Sequence, residues 1–142
     1  MNHYRLADIT LGMKASFEKK ITVEMEDAFR KISGDENPLH RNDDFAMQIS
    51  EGKYRKHVSF GMLIAALYST IAGMYLPGEN SLIHSMEELS FLKPVFAGDT
   101  LIVEGEVVDK QEEIRLIRLK VTIRNQNNQL VSRAKMKVLV MK

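Results

Sequence analysis

The sequence predicts an α+β protein in which one long apolar helix is wrapped by a curved antiparallel sheet. Three observations point there. Residues 60–78, "FGMLIAALYSTIAGMYLPG", are apolar almost all round, a pattern that belongs to a helix enclosed by protein rather than one lying on a surface. The C-terminal third holds three runs of period two, each with one wet and one dry face. Helical signals precede these runs instead of alternating with strands, which is the order of a segregated α+β chain.

The elements follow in turn. "KASFEKKIT" (14–22) alternates weakly and reads as an opening strand. "TVEMEDAFRKISGD" sets Thr22 ahead of acidic residues and of apolar Val23, Phe29 and Ile32. That is a helix with Thr22 as N-cap, negative charge in its first turn and Gly34 as its stop. "NDDFAMQI" (42–49) adds one or two helical turns with Asn42 as cap, and residues 50–59 form a polar, basic loop. The central helix runs from about Gly61 to Tyr75. "NSLIHSMEELSFLKPV" reads as a strand pair or one long bent strand. "TLIVEGEVVDK" alternates Leu101, Val103, Gly105 and Val107. "EIRLIRLKVTIRN" alternates Leu119, Val121 and Ile123, with a phase slip at Leu116-Ile117 that suggests a bulge. "QLVSRAKMKVLV" opposes Ser132, Ala134, Met136, Val138 and Val140 to Val131, Arg133, Lys135, Lys137 and Leu139. The connections "DKQEE" and "NQNNQ" are polar and short enough for hairpins. With no repeat, low-complexity tract or linker, residues 1–142 read as one domain. A lone sheet would leave an edge strand and part of the helix poorly covered, so dimerisation through the sheet is expected.

Composition narrows the function. Of 142 residues, 44% are hydrophobic and 27% charged, which fits a globular chain and excludes a disordered one. A formal net charge of +1 gives no global field toward nucleic acid or an anionic membrane. The absence of cysteine excludes disulfides, thiolate zinc sites and a thiol nucleophile, and fits a cytoplasmic setting. The opening stretch lacks a signal-peptide pattern, and the apolar segment breaks at Pro77-Gly78, short of the ~20 apolar residues of a membrane span. His3, His57 and His84 lack metal-ligand spacing and read as surface or hydrogen-bonded histidines. Asp43-Asp44 reads as a helix start, Glu87-Glu88 as a solvated turn and the nine methionines as core filler. Ser69, inside the apolar helix, is expected to bond back to a carbonyl one turn earlier.

One stretch carries chemistry. "SGDENPLH" (33–40) places Asp35 and His40 on a loop stiffened by Pro38, which fixes its own φ and restricts Asn37. Near neutral pH both side chains can accept a proton and the imidazole can return one, so together they can hold a water and steer its protons. A helix stop followed by an Asn-Pro turn explains the same spacing without catalysis.

"SGDENPLHRNDDFA", then "FGMLIAALYSTIAGMYLPG", then "FLKPVFAGDTLIVEGEV" together resemble the MaoC-like dehydratases, the family of (R)-specific enoyl-CoA hydratases. The likeness covers about residues 15–140, and its Asp35…Asn37-Pro38-Leu39-His40 part is specific. The resemblance implies a hotdog fold, with the Gly61–Tyr75 helix as the sausage, and homodimers whose sheets join edge to edge with the active site at the subunit interface. It implies that Asp35 and His40 bind and activate one water, that the Gly61 amide holds the thioester carbonyl, that Asn37 supports the loop and that Ser69 is a pocket serine. Neither metal nor organic cofactor is implied, because the thioester acidifies its own α-position. Phe60 stands where the family usually has histidine, and so becomes a candidate for shaping the pocket. Lys53, Arg55 and Lys56 are candidates to grip the phosphates of CoA or the acidic face of an acyl carrier protein.

The leading expectation is therefore a lyase interconverting trans-2-enoyl and (R)-3-hydroxyacyl thioesters of CoA or acyl carrier protein. A hotdog acyl-CoA thioesterase is the first alternative, distinguished by release of free thiol. A non-catalytic acyl-thioester binding protein, made credible by Phe60, is the second. It would bind enoyl-CoA tightly without turnover.

Overall fold

A computed structural model describes residues 1–142. The chain forms β1 (Lys14–Lys20), α1 (Val23–Ser33), α2 (Asp43–Ile49), α3 (Gly61–Thr70), β2 (Ser81–Phe91), β3 (Thr100–Gln111), β4 (Leu116–Arg124) and β5 (Leu130–Val140). The five strands make one sheet in the order β1-β3-β4-β5-β2, with every neighbouring pair antiparallel. α3 is the central helix against which this sheet packs. Ile64, Leu67, Tyr68, Ile71 and Ala72 are buried in one core with Leu101, Val103, Leu119, Val121, Met136 and Val138. No helix of the protein is long and apolar enough to cross a membrane.

The helix caps follow the expectation. Thr22 Oγ1 accepts the Met25 N–H at 3.2 Å, and Asn42 Oδ1 accepts that of Phe45 at 2.9 Å. The dry faces of β3, β4 and β5 are those the alternation marks. Ser132 is the polar exception on the dry face. Its Oγ accepts the Tyr68 hydroxyl at 2.9 Å, which ties α3 to β5, and burial pushes the Tyr68 phenol up to about 12. Gly105 faces α3 where there is little room: a Cβ there would lie 3.2 Å from Ile71 Cγ2.

The helix expected over about Gly61 to Tyr75 is present, and five other expectations are corrected. The central helix keeps α-geometry only to Thr70 and widens into a π-helical turn over Ile71–Tyr75, closed by Leu76 N–H donating to the Ile71 carbonyl at 2.8 Å. It is also not covered all round: Met62 is 60% exposed, and Ala66, Ser69 and Met74 are exposed on the same helix. Ser69 therefore points outward, and its hydroxyl needs no backbone partner. The bulge lies across from the phase slip: β4 pairs continuously from Leu116, while Val108 of β3 is the extra residue between Val107 and Asp109. Glu87 and Glu88 are not a turn. They sit within β2 at a register shift and bond Lys137 (2.7 Å) and Lys135 (3.0 Å) of the neighbouring strand. Of the nine methionines Met136 is in the core and Met13, Met25 and Met86 pack against it, while Met1, Met47, Met62, Met74 and Met141 are exposed. β2 itself settles as one irregular strand rather than a pair.

Candidate active site

The Asp35–His40 loop is built by its own side chains. α1 stops because Gly34 takes φ 74°, a conformation that costs glycine little, and its N–H closes on the Arg30 carbonyl at 2.8 Å. Asp35 Oδ1 then accepts the Asn37 N–H, and Asn37 Oδ1 accepts the Leu39 N–H, each at 3.0 Å. Pro38 opens a single 3₁₀ turn over Pro38–His40. Two successive Asx turns thus fix the spacing of acid and imidazole through backbone geometry.

His40 is oriented from the other side of the site. Its Nδ1 lies 2.8 Å from the carbonyl oxygen of Val58. A carbonyl only accepts, so Nδ1 carries a proton, and in the neutral ring the lone pair is on Nε2, the nitrogen that faces Asp35. Nε2 and Asp35 Oδ2 are 3.9 Å apart, with the imidazole 17% and the carboxylate 46% exposed. That separation is too long for a direct hydrogen bond, but it suits two acceptors that each bond the same water. Phe60 is 3% exposed and backs the imidazole, its ring centroid 4.2 Å from that of His40 and 5.0 Å from that of Phe29.

A cavity of about 360 Å³ opens beside the dyad, its wall including His40, Tyr54, Ser59, Gly61, Ile64 and Phe91. Its size and mainly apolar lining suit a small acyl group. Gly61 is the first residue of α3, so its N–H has no helical acceptor, and no other protein group accepts it. A free amide at the positive end of a helix is suited to an oxygen that gains negative charge. A larger depression of about 540 Å³ lies among Lys120, Arg133 and Lys135 of β4 and β5, but no acid–imidazole pair adjoins it.

Asp35, Asn37, His40 and Gly61 are thus gathered by the fold, with His40 and Gly61 in one cavity wall. Phe60 stands behind His40 rather than in that wall, so its bulk sets the imidazole's position and does not narrow the cavity. Ser69 is on the exposed side of α3, away from the cavity. Lys53, Arg55 and Lys56 are exposed and form no ion pair, although Lys53 Nζ sits 5.5 Å over the ring of Tyr54, which does line the cavity. Sequence reasoning missed Ser59, whose Oγ is buried without a protein partner, and the group Glu26–His57–Asp43. Neither has a local signal: their partners are brought from distant segments by the tertiary fold.

A five-stranded sheet on a central helix, with an acid–imidazole loop beside that helix's N-terminus, is the architecture of the hotdog hydratases. The chain belongs to the family of the MaoC-like domain, whose model matches residues 7–129. An (R)-specific enoyl-CoA hydratase of Aeromonas caviae is 34% identical over 86% of this chain and 88% of its own. A 3-hydroxybutyryl-CoA dehydratase of Methylorubrum extorquens is 31% identical over 81% of this chain and 71% of its own. Among solved structures, the (R)-hydratase from A. caviae involved in PHA biosynthesis superposes with a TM-score of 0.86 at 32% identity, covering 93% of this chain and 97% of that one.

Proposed function

We propose that the protein is a carbon–oxygen lyase that interconverts trans-2-enoyl and (R)-3-hydroxyacyl thioesters by adding or removing one water. The observation that carries this reading is the placement of His40, whose Nδ1 is held by the Val58 carbonyl and whose Nε2 lies 3.9 Å from Asp35 Oδ2, in the wall of the cavity that also presents the free Gly61 amide. Asp35 and His40 hold one water between them. As its oxygen bonds C3 of the enoyl group, Asp35 takes a proton, and the C2=C3 electron pair moves onto the thioester oxygen, which accepts the Gly61 N–H. The proton returns from the dyad to C2, so the protein ends unchanged and all the water's atoms are in the product. The thioester itself spreads the charge, so the step calls for no cofactor. The (R) configuration and the CoA carrier follow the named relatives. Lys53, Arg55 and Lys56 are exposed chain neighbours of Tyr54, which lines the cavity, and their charge is suited to the carrier's phosphates, whether CoA or phosphopantetheine.

Crotonyl-CoA tests this reading. Loss of the conjugated enoyl absorbance without release of free thiol is expected. Release of thiol would point to thioester hydrolysis, and tight binding with no turnover to a binding protein.

We also infer that two copies join along β2. The other edge, β1, is short and carries Lys14, Lys19 and Lys20, which discourage pairing. β2 is eleven residues long and exposes Leu82, Ile83 and Phe91.

A further inference from the structure

His57 lies outside the dyad, yet both of its ring nitrogens meet carboxylates. Nε2 is 2.9 Å from Glu26 Oε1 on α1, and Nδ1 is 2.7 Å from Asp43 Oδ1 at the start of α2. The His57 backbone N–H donates to the same Asp43 oxygen at 2.8 Å. Glu26 is only 3% exposed, and its second oxygen has no protein partner. A neutral imidazole has one N–H and one lone pair, so it could satisfy only one of these acids and would turn a lone pair toward the other. The imidazolium satisfies both. The three groups do not form a site that could hold a metal ion.

The residues that follow His57 build the active site. The Val58 N–H donates to the Leu39 carbonyl at 2.9 Å, and the Val58 carbonyl accepts His40 Nδ1–H at 2.8 Å. The Ser59 N–H donates to the Val95 carbonyl at 2.7 Å, Phe60 packs on His40, and Gly61 opens α3. One strap of five residues therefore carries the clamp, the carbonyl that sets the His40 tautomer, and the amide assigned to the thioester oxygen.

We propose that His57, held as an imidazolium between Glu26 and Asp43, is a positioning residue of the hydration site that fixes the strap Val58–Gly61 and through it the tautomer of His40 and the aim of the Gly61 amide. This rests on the hydratase reading above. It also makes the site pH-dependent. Burial pulls the His57 pKa down, but the bonds to Glu26 and Asp43 outweigh burial and leave it above the ordinary histidine value. The charged groups around it are Glu26 on α1, Asp43 on α2 and its chain neighbour Lys56, which acts on Asp43. With the folded value raised, the clamp is complete below the ordinary histidine pKa and is lost as pH rises through the raised one.

The test combines the pH profiles of kcat and KM with ¹⁵N NMR of the histidine rings, in the full chain and in His57→Gln and Glu26→Gln. In the unaltered protein, His57 shows two protonated nitrogens that lose a proton on the alkaline side, and His40 shows a single Nδ1–H tautomer. His57→Gln lowers kcat by about tenfold to a hundredfold, the scale of a misplaced catalytic group, with KM little changed. It also removes the alkaline limb and mixes the His40 tautomers. Glu26→Gln, nearly isosteric, moves that limb to lower pH, and it carries the test should His57→Gln fail to fold. Unchanged kcat, pH limb and His40 tautomer in His57→Gln, alongside a reaction that still depends on Asp35, would overturn the positioning role and leave the hydratase reading standing. If the protein hydrates no enoyl thioester, the hydratase reading fails, and an unaltered His40 tautomer in His57→Gln then overturns the positioning role as well.

Discussion

Two acceptors 3.9 Å apart, one of them with its proton pinned on the far side by a backbone carbonyl, can share a water but cannot neutralise each other. That is why the tautomer of His40 matters as much as its distance from Asp35. Phe60 belongs to the same arrangement. Its ring fills the space behind the imidazole against Phe29, so the residue that departs from the family pattern acts as packing and not as a pocket wall. Phe60→Ala is expected to cost about 3–5 kcal/mol of stability, as deletion of a buried ring does, with a loosened His40. Chemical denaturation measures it. A cost well under 1 kcal/mol would show that the ring is not packed as described.

At the scale of elements, the N-terminus of α3 is the part of the site that can be edited most cleanly. Proline is favoured at the first position of a helix, and Phe60 has the extended φ −63°, ψ 126° that a following proline requires. Gly61→Pro should therefore keep the helix start while deleting the one N–H assigned to the thioester oxygen. Turnover is expected to fall by about 10²–10³-fold, the usual effect of losing such a donor, with circular dichroism unchanged. A folded Gly61→Pro protein of normal activity would remove the amide from the mechanism. Much of this level was legible in the sequence. Caps are local, so Thr22, Gly34 and Asn42 announced their helices, and alternation marked the dry faces of β3, β4 and β5. Asp35 and His40 were legible because five residues and one proline fix their spacing. What failed was non-local. Glu87 and Glu88 look like a turn until Lys137 and Lys135 of β5 arrive opposite them. Met62 and Ser69 look buried because an apolar helix does not disclose which of its sides the sheet leaves uncovered. His57 looks like an ordinary histidine because Glu26 is 31 residues away in sequence.

For the whole molecule, α3 has an uncovered side and β2 is an edge strand with exposed apolar residues, and the dimer proposed above rests on these surfaces. Light scattering is expected to give a dimer, and Ile83→Lys, a charge on that edge, a monomer. A dimer that survives this substitution would move the interface elsewhere. The central claim is that Asp35 and His40 add water to an enoyl thioester, and Asp35→Asn tests it most directly. Asp35 is exposed, and the amide oxygen of asparagine can still accept the Asn37 N–H, so the fold should hold. With crotonyl-CoA, the unaltered protein is expected to remove the enoyl absorbance and yield the (R)-3-hydroxy product, and Asp35→Asn to be slower by about 10²–10⁴-fold. A folded Asp35→Asn protein that hydrates at the normal rate would contradict the account.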